Sequence, residues 1–402
     1  MDVLIIAQYF PPDIGGASTR AFNVAKGLMK MGCSVDVIAA FPHYPEGNIP
    51  DHYRGKSFIF EKKDDINISR VWLPPLAHNS ILNRVVLHFC FLITSLFLIP
   101  FKRRFDVVWA ANPNLFSFIS ALIYAFIRQK PIIRNVDDLW PEIFYEIGLV
   151  KSSIFKKLLN FLAWLSYFLP VAITPISNGY KHKIMEKYGV KGEKIRVIEV
   201  GVDTSLFKSN LNTEDEFIVM YSGILGPAYD FKNILMTAKI LFDYKEIKFL
   251  IRGIGECEHD IRKMICNFSL DNVVLDTNVV SKLKLIEILN LADIFLLPMK
   301  KINAVDEGLP TKIFEYQAMG KPIICCSRGE SARYIKSTQS GLVVNPEDPK
   351  SLALAIMNLY KNRELILKLG ANGQKYVNKN LSIERIGERF YNFIDSQFVQ
   401  FK

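Results

Sequence analysis

Short apolar runs of strand length alternate along this chain with stretches whose apolar residues recur at helical spacing. Val3–Ala7 is such a run, and Gly15-Gly16 opens a helix predicted from about Ser18 to Met31, stopped by Gly32. Strands are predicted at Ser34–Ala40, Phe58–Glu61, Ser69–Trp72, Asp106–Ala110, Ile132–Val136 and Val171–Thr174, with helices between them, and Val197–Glu199 closes the half. The scheme then repeats. Strands are predicted at Phe217–Ser222, Lys248–Gly253, Val273–Leu275, Ile294–Pro298, Pro322–Cys325 and Gly341–Val344, and helices at 232–243, 258–268, 281–290, 310–319 and 349–360. Such alternation implies parallel sheets with helices on both faces, an α/β chain of two doubly wound domains. Ligands of these sheets sit beyond the carboxyl ends of the strands, so a cleft with the two domains facing each other is the expected site. The domains read as 1–200, 201–380 and a terminal segment 381–402, with Gly201–Asn212 as the linker. A last helix, about Ser382–Phe398, carries Ile383, Ile386, Phe390, Phe393 and Ile394 as a stripe expected to pack back on the first domain.

Three blocks of the first half are unusually apolar. Val85–Phe101 is nearly free of charge and is followed by Lys102-Arg103-Arg104; Leu115–Ile127 ends at Arg128 and Lys130; Ile154–Ile173 has Lys156 and Lys157 near its start. The first is at the lower limit for spanning a bilayer, and the others are short or interrupted. They read as helices of an α/β domain, with three fates open: core packing, a monotopic face that dips into lipid headgroups, or true spanning.

The charge balance bears on that choice. The net charge is +10, and residues 1–200 carry 24 Lys and Arg against 16 Asp and Glu, so most of it lies in the first half. No nucleic-acid-binding motif accompanies it, and an anionic membrane surface fits the adjacent apolar blocks better. Six cysteines form no C-x-x-C pair, which suits buried reduced thiols in a cytoplasmic protein. Asp2 and the strand-length run behind it do not make a signal peptide.

The most informative chemistry lies in Glu307-Gly-Leu-Pro-Thr-Lys-Ile-Phe-Glu315. Pro310 suits the start of a helix, and Gly320 with Pro322 suits its end. Glu307 then sits on the loop facing the helix N-terminus, which favours an anion such as phosphate, and Glu315 sits within the helix. A carboxylate beside an anion site is suited to hydrogen-bonding sugar hydroxyls, although a capping and a surface glutamate would have the same spacing.

With Gln8-Tyr9-Phe10-Pro11-Pro12 before Gly15-Gly16, Tyr221-Ser222-Gly223-Ile224-Leu225-Gly226, and Leu291-Ala292-Asp293 before Leu297-Pro298, the glutamate pair completes a pattern. Over nearly its whole length the chain resembles a family-4 retaining glycosyltransferase with the GT-B fold. Phe41-Pro-His-Tyr-Pro45 and Asp138-Leu-Trp-Pro-Glu142 look most like the branch that builds bacterial surface polysaccharides, O-antigen and capsule among them, including fucosaminyl and colanic-acid transferases.

That resemblance implies a nucleotide-sugar donor, UDP-linked and open to an N-acetylated sugar, and a polyprenyl-diphosphate-linked saccharide acceptor. It implies an enzyme peripheral on the inner face of the cytoplasmic membrane, with no cofactor. Glu315 would take both ribose hydroxyls and Glu307 the donor sugar. Gly308, Leu309 and Thr311 would offer backbone N–H groups to the diphosphate, Gly15 and Gly16 would allow the first loop close to it, and the backbone of Val279 would read the base. Arg252-Gly-Ile-Gly255-Glu256 is too short for a dinucleotide fingerprint and also reads as a strand-to-helix turn.

One departure stands out. The family places an Arg directly after Gly223 and a Lys several residues on, where this chain has Ile224 and about Asp230. The charge that neutralises the phosphates must come from elsewhere, with Arg20, Lys232, Arg252 and Lys312 as candidates. Asp138 is a candidate to bind or deprotonate the acceptor hydroxyl, and equally a cap for a helix begun by Pro141; His43 lies in a loop on the same side. With no D-x-D triplet and no His/Cys cluster, no metal site is expected. A nucleotide-sugar 2-epimerase on the same fold and a nonenzymatic scaffold are the alternatives.

Overall fold

Val3, Leu4, Ile5 and Ile6 are all but excluded from solvent because β1 (Asp2–Ile6) lies inside a parallel sheet covered on both faces. The computed structural model describes residues 1–399 except 45, 79, 103, 112–113, 143–144, 146–151 and 208–215. Two units are distinguished, Met1–Gly201 with Ile383–Lys402, and Val202–Ser382.

In the first unit, β2 (Ser34–Ala40), β3 (Phe58–Lys63), β4 (Ile66–Val71), β5 (Val107–Ala110), β6 (Ile132–Val136) and β7 (Ala172–Pro175) join β1 in the order β3-β4-β2-β1-β5-β6-β7. All pairs are parallel except β3 with β4, which turn through Asp64 and Asp65, both at positive φ. The helices are α1 (Gly16–Lys30), α2 (Ile81–Leu96), α3 (Leu115–Arg128), α4 (Ser153–Phe168) and α5 (Asn178–Tyr188). Side chains cap three of them: Ser80 accepts from Asn83 N–H, Asn114 from Ser117 N–H and Ser177 from Tyr180 N–H. Ser80 therefore starts α2 four residues before the predicted apolar run, and α2 ends at Leu96 rather than at Phe101.

The last helix of the chain, α14 (Ile383–Val399), belongs to this unit. It crosses α1 where Gly27 meets Gly387; a Cβ on Gly27 would stand 2.6 Å from the Ile383 carbonyl oxygen, so only glycine permits the approach. Trp109, fully buried, packs its ring 5.1 Å from Phe390 of the same helix. The predicted strand Val197–Glu199 does not form. Arg196 and Ile198 donate to the Ile173 and Pro175 carbonyls at 3.0 Å each, running beside β7 without a full ladder.

In the second unit, β8 (Phe217–Ser222), β9 (Ile247–Arg252), β10 (Val273–Asp276), β11 (Ile294–Pro298), β12 (Ile323–Cys326) and β13 (Gly341–Val344) form a parallel sheet in the order β10-β9-β8-β11-β12-β13. Its helices are α6 (Phe231–Ile240), α7 (Glu258–Phe268), α8 (Lys282–Asn290), α9 (Asn303–Asp306), α10 (Lys312–Ala318), α11 (Glu330–Thr338), α12 (Pro349–Tyr360) and α13 (Arg363–Asn380). The helix predicted over 310–319 is only the seven residues of α10, because Pro310 and Thr311 carbonyls accept from Ile313 and Phe314 in a tighter turn before the helix proper. Cys266 is exposed rather than buried, while Cys33, Cys325 and Cys326 are buried; all six are free thiols. The expected linker runs partly outside the described residues.

Candidate active site

In each sheet the strand order reverses once, between β1 and β5 in the first unit and between β8 and β11 in the second. The loops leaving such strands splay apart and leave a crevice at their carboxyl ends.

In the second unit that crevice is walled by the loop after β8 and the segment after β11. Gly223 has φ 148 and donates to the Arg252 carbonyl at 2.9 Å. The loop is stitched to β11 by Asp230 N–H to the Pro298 carbonyl (2.7 Å) and Lys300 N–H to the Ala228 carbonyl (3.0 Å). Asp230, at the position where a lysine was sought, caps α6 by accepting from Asn233 N–H. Opposite, α10 is pinned by Tyr316. Its hydroxyl donates to the Ser222 carbonyl and accepts from Ser222 N–H, both at 2.8 Å, and its ring stacks on Phe295 at 4.0 Å.

This anchoring fixes the two glutamates. Glu307 ends α9 and pairs with Arg333 at 3.0 Å, and Arg333 also holds Glu330 at 2.8 Å. Glu315 pairs with Lys282 of α8 at 2.6 Å. Both carboxylates remain partly exposed, and neither Arg333 nor Lys282 was found by reading the sequence. Gly308 N–H is committed to the Val305 carbonyl at 3.1 Å, so it is not open to a diphosphate as expected. Leu309 is buried and Thr311 half-buried at the start of α10. Val279 is 60% exposed just past the end of β10, where a ligand's flat face could meet it.

The four candidate cations have different fates. Arg20, 1% exposed, belongs to the first unit; it holds Asp137 at 2.5 Å and donates to the Thr174 and Ile198 carbonyls. Arg252 pairs with Asp276 at 3.0 Å and donates to the Asn278 carbonyl at 2.7 Å, bracing the ends of β9 and β10. Lys232 is exposed on α6. Lys312 alone of the four is buried against Gly223, its Nζ 2.6 Å from Tyr221 Oη.

In the first unit, Gly15 has φ 137 and Gly16 begins α1. His43 is 2% exposed. Its Nδ1 donates to the Phe41 carbonyl at 2.8 Å, and burial pushes its pKa down, so the ring is neutral with its lone pair on Nε2. Asp13 fixes the loop by accepting from His43 N–H (2.8 Å) and Tyr44 N–H (3.0 Å). His78 and His88 complete an aromatic group with Tyr9 and are pushed down to about 3, chiefly by burial and then by the neighbouring histidines and Arg84, beside which a further positive charge is disfavoured. Asp13, His78 and His88 carried no signal in the sequence beyond residue type. Asp138 is raised to about 6, chiefly by burial and then by Asp137. The helix that Pro141 was expected to begin lies largely outside the described residues. Among the described residues no group of three or more His, Cys, Asp or Glu could hold a metal ion.

The surface of the first unit is apolar over two helices. α4 exposes Ile154, Leu158, Phe161, Trp164 and Phe168 along one stripe, and α2 exposes Leu82, Val85, Phe89 and Ile93. Of the basic residues expected at its rim, Lys102 is tied to Asp36 at 3.1 Å, Arg104 is exposed, and Arg103 lies outside the described residues. No described helix is long and apolar enough to cross a membrane.

Residues 14–206 match the family model Glycosyltransferase Family 4, and residues 202–376 match Glycosyl transferases group 1. The chain is 23% identical to the provisionally named colanic acid biosynthesis glycosyl transferase WcaI of Escherichia coli, over 98% of this chain and all of that one. It is 26% identical to the capsular polysaccharide biosynthesis glycosyltransferase CapM of Staphylococcus aureus, over 66% and 70% of the two chains. HepE of Anabaena, solved with UDP and glucose, superposes with a TM-score of 0.73 at 14% identity, covering 98% of this chain and all of that one.

Proposed function

The chain is a glycosyltransferase with the GT-B fold, each half carrying one of the two glycosyltransferase domains, and we propose that it is a retaining enzyme of surface-polysaccharide assembly. In this reading it moves a sugar, with N-acetylated sugars among the candidates, from UDP to a saccharide carried on a polyprenyl diphosphate. The observation that carries the reading is the glutamate pair beside the crevice of the second unit, held by Tyr316, with Lys312 against Gly223. Glu315 accepts the two ribose hydroxyls, since a carboxylate takes several hydrogen bonds at once. Glu307 holds the donor sugar. The bond from the anomeric carbon to the diphosphate breaks with its electron pair going to the phosphate oxygen, and the acceptor hydroxyl enters on the same face. Asp138, whose raised pKa leaves it ionised yet more basic than an ordinary carboxylate, or neutral His43, takes the hydroxyl proton.

The relatives' names support a role in polysaccharide biosynthesis, and the exposed apolar stripes of α2 and α4 support a lipid-linked acceptor and a protein peripheral on the inner face of the cytoplasmic membrane. Those stripes favour this reading over a nucleotide-sugar 2-epimerase, which needs no lipid-facing surface. The test is a panel of UDP-, GDP-, ADP- and dTDP-sugars offered to the purified protein, read by calorimetric binding and slow hydrolysis. A UDP-sugar should bind and lose its sugar slowly to water; failure of every donor to bind would refute the reading.

A further inference from the structure

Lys312 is a deeply buried lysine with no carboxylate bonded to it among the described residues. Only 8% of it is exposed, and among the described residues its Nζ makes no ion pair. Glu315, three residues along α10 and the acid whose charge acts on it, pairs with Lys282. What faces Lys312 from β8 and its loop is a pair of phenol rings, with centroids of Tyr221 and Tyr229 lying 4.1 and 3.7 Å from Nζ. Tyr221 gives its hydroxyl hydrogen to the Ile224 carbonyl at 2.6 Å, so its oxygen accepts from Lys312. A Cβ on Gly223 would stand 2.7 Å from Nζ, which sets the amine against the backbone at the carboxyl end of β8, where the strand order reverses.

Burial holds the pKa of this lysine well below the ordinary value, with the charge of Glu315 acting the other way. A lysine buried without a counter-ion relieves its desolvation by giving up its proton. An anion arriving at Gly223 reverses that balance, and the two ring faces help carry the restored charge.

We propose that Lys312 supplies the charge that meets the donor's diphosphate, and that it takes up a proton as the diphosphate binds. The inference rests on the reading of the second unit as a nucleotide-sugar site. Its balance is simple: neutral amine, one proton from solvent and bound diphosphate give an ammonium–phosphate pair. When the bond to the anomeric carbon breaks, the leaving oxygen gains negative charge in reach of that ammonium. The proton returns to solvent when the nucleoside diphosphate leaves. The site thus does without an arginine at position 224.

The experiment is calorimetric titration of UDP into the full-length protein between pH 7 and 9, in buffers of different ionisation enthalpy. The dependence of apparent enthalpy on buffer reads the protons taken up, and about one per UDP is expected at the alkaline end. Lys312→Met should abolish the uptake and weaken UDP by roughly tenfold or more, the scale of a lost hydrogen bond to a charged group. Lys312→Arg, which stays charged, should bind UDP without uptake. UDP binding by the unaltered protein with no buffer dependence across this range overturns the proposal, whether or not the variants fold. Uptake that persists in Lys312→Met overturns it as well. Failure of UDP, GDP, ADP and dTDP alike to bind would overturn the donor-site reading and this inference with it.

Discussion

Glu315 lies 2.6 Å from Lys282, and the pair joins α10 to the start of α8 at the mouth of the second unit's crevice. The lysine is 44% exposed and the glutamate 20%, so the bridge is a surface pair worth about 1 kcal/mol or less. A ribose diol can replace or share it at little cost. Glu315→Ala should therefore weaken UDP by roughly 1.5–3 kcal/mol, while Lys282→Met changes affinity much less. Calorimetry on both variants and their combination decides it. Unchanged affinity in a folded Glu315→Ala protein would remove the ribose role.

Glu307 differs in kind, because its partner Arg333 belongs to α11 and also holds Glu330. In the proposed reading its position ahead of α10 assigns it to the sugar rather than to the nucleotide. Glu307→Gln should cut turnover by far more than it weakens free UDP. Arg333→Met, which removes this partner and keeps the carboxylate, should have a smaller effect on turnover. An equal loss of nucleotide affinity and turnover in Glu307→Gln would show that the glutamate binds nucleotide.

Strands were legible where short, mostly apolar runs are bounded by turn-forming residues, even with Asp36, Arg134 or Asn135 inside them and with β13 only half-buried. Ser34–Ala40, Ile132–Val136, Phe217–Ser222, Ile294–Pro298 and Gly341–Val344 are strands with the predicted limits. α11 and α13 were not anticipated. α11 is nine mostly polar residues that bury little beyond Ala332, Tyr334 and Ile335 among their apolar positions, and α13 is interrupted on paper by Gly370 and Gly373. The donor segment was legible because both glutamates and the proline lie within nine residues. Arg333 and Lys282 were not, because nothing in local spacing says that α11 and the start of α8 lie beside that segment. The use of Gly308 N–H within its own turn was equally hidden, since it depends on α9 forming. Arg20 looked like a phosphate ligand and is instead a buried strut, because Asp137, 117 residues away, and two carbonyls converge on it.

Asp138 couples stability to pH. Its carboxyl is raised from 3.8 to about 6, so the folded chain holds a proton there that the unfolded chain has already lost. The native state is thus favoured by this group below pH ~4, and that advantage is lost as pH rises through about 6, at most about 3 kcal/mol. Asp138→Asn removes the charged form altogether. It should raise the unfolding temperature at pH 7.5 relative to the unaltered protein, with the gain shrinking towards pH 4. If Asp138 also takes the acceptor's proton, the same variant should lose transfer activity while gaining stability. A variant less stable at pH 7.5 would contradict the burial argument.

The stripe on α4 sets the membrane test apart from a purely electrostatic one. Phe161, Trp164 and Phe168 stack with ring centroids 6.2 and 4.9 Å apart and are each at least 40% exposed. Full burial of such side chains is worth roughly 1.5–3 kcal/mol each, and salt does not screen it. Lys157, exposed beside the stripe, would add about 1 kcal/mol near an anionic surface, which salt does screen. Lys102, engaged with Asp36, should contribute little. Sedimentation with vesicles of phosphatidylglycerol and phosphatidylethanolamine should therefore capture the protein strongly at low salt and partly at high salt. Phe161→Asp combined with Phe168→Asp should abolish capture at both. Lys157→Gln should weaken it at low salt alone, and Lys102→Gln should leave it nearly unchanged. Capture that vanishes fully at high salt would mean that the aromatic stripe does not enter the bilayer, and no capture at low salt would mean that the first unit does not dock on anionic lipid.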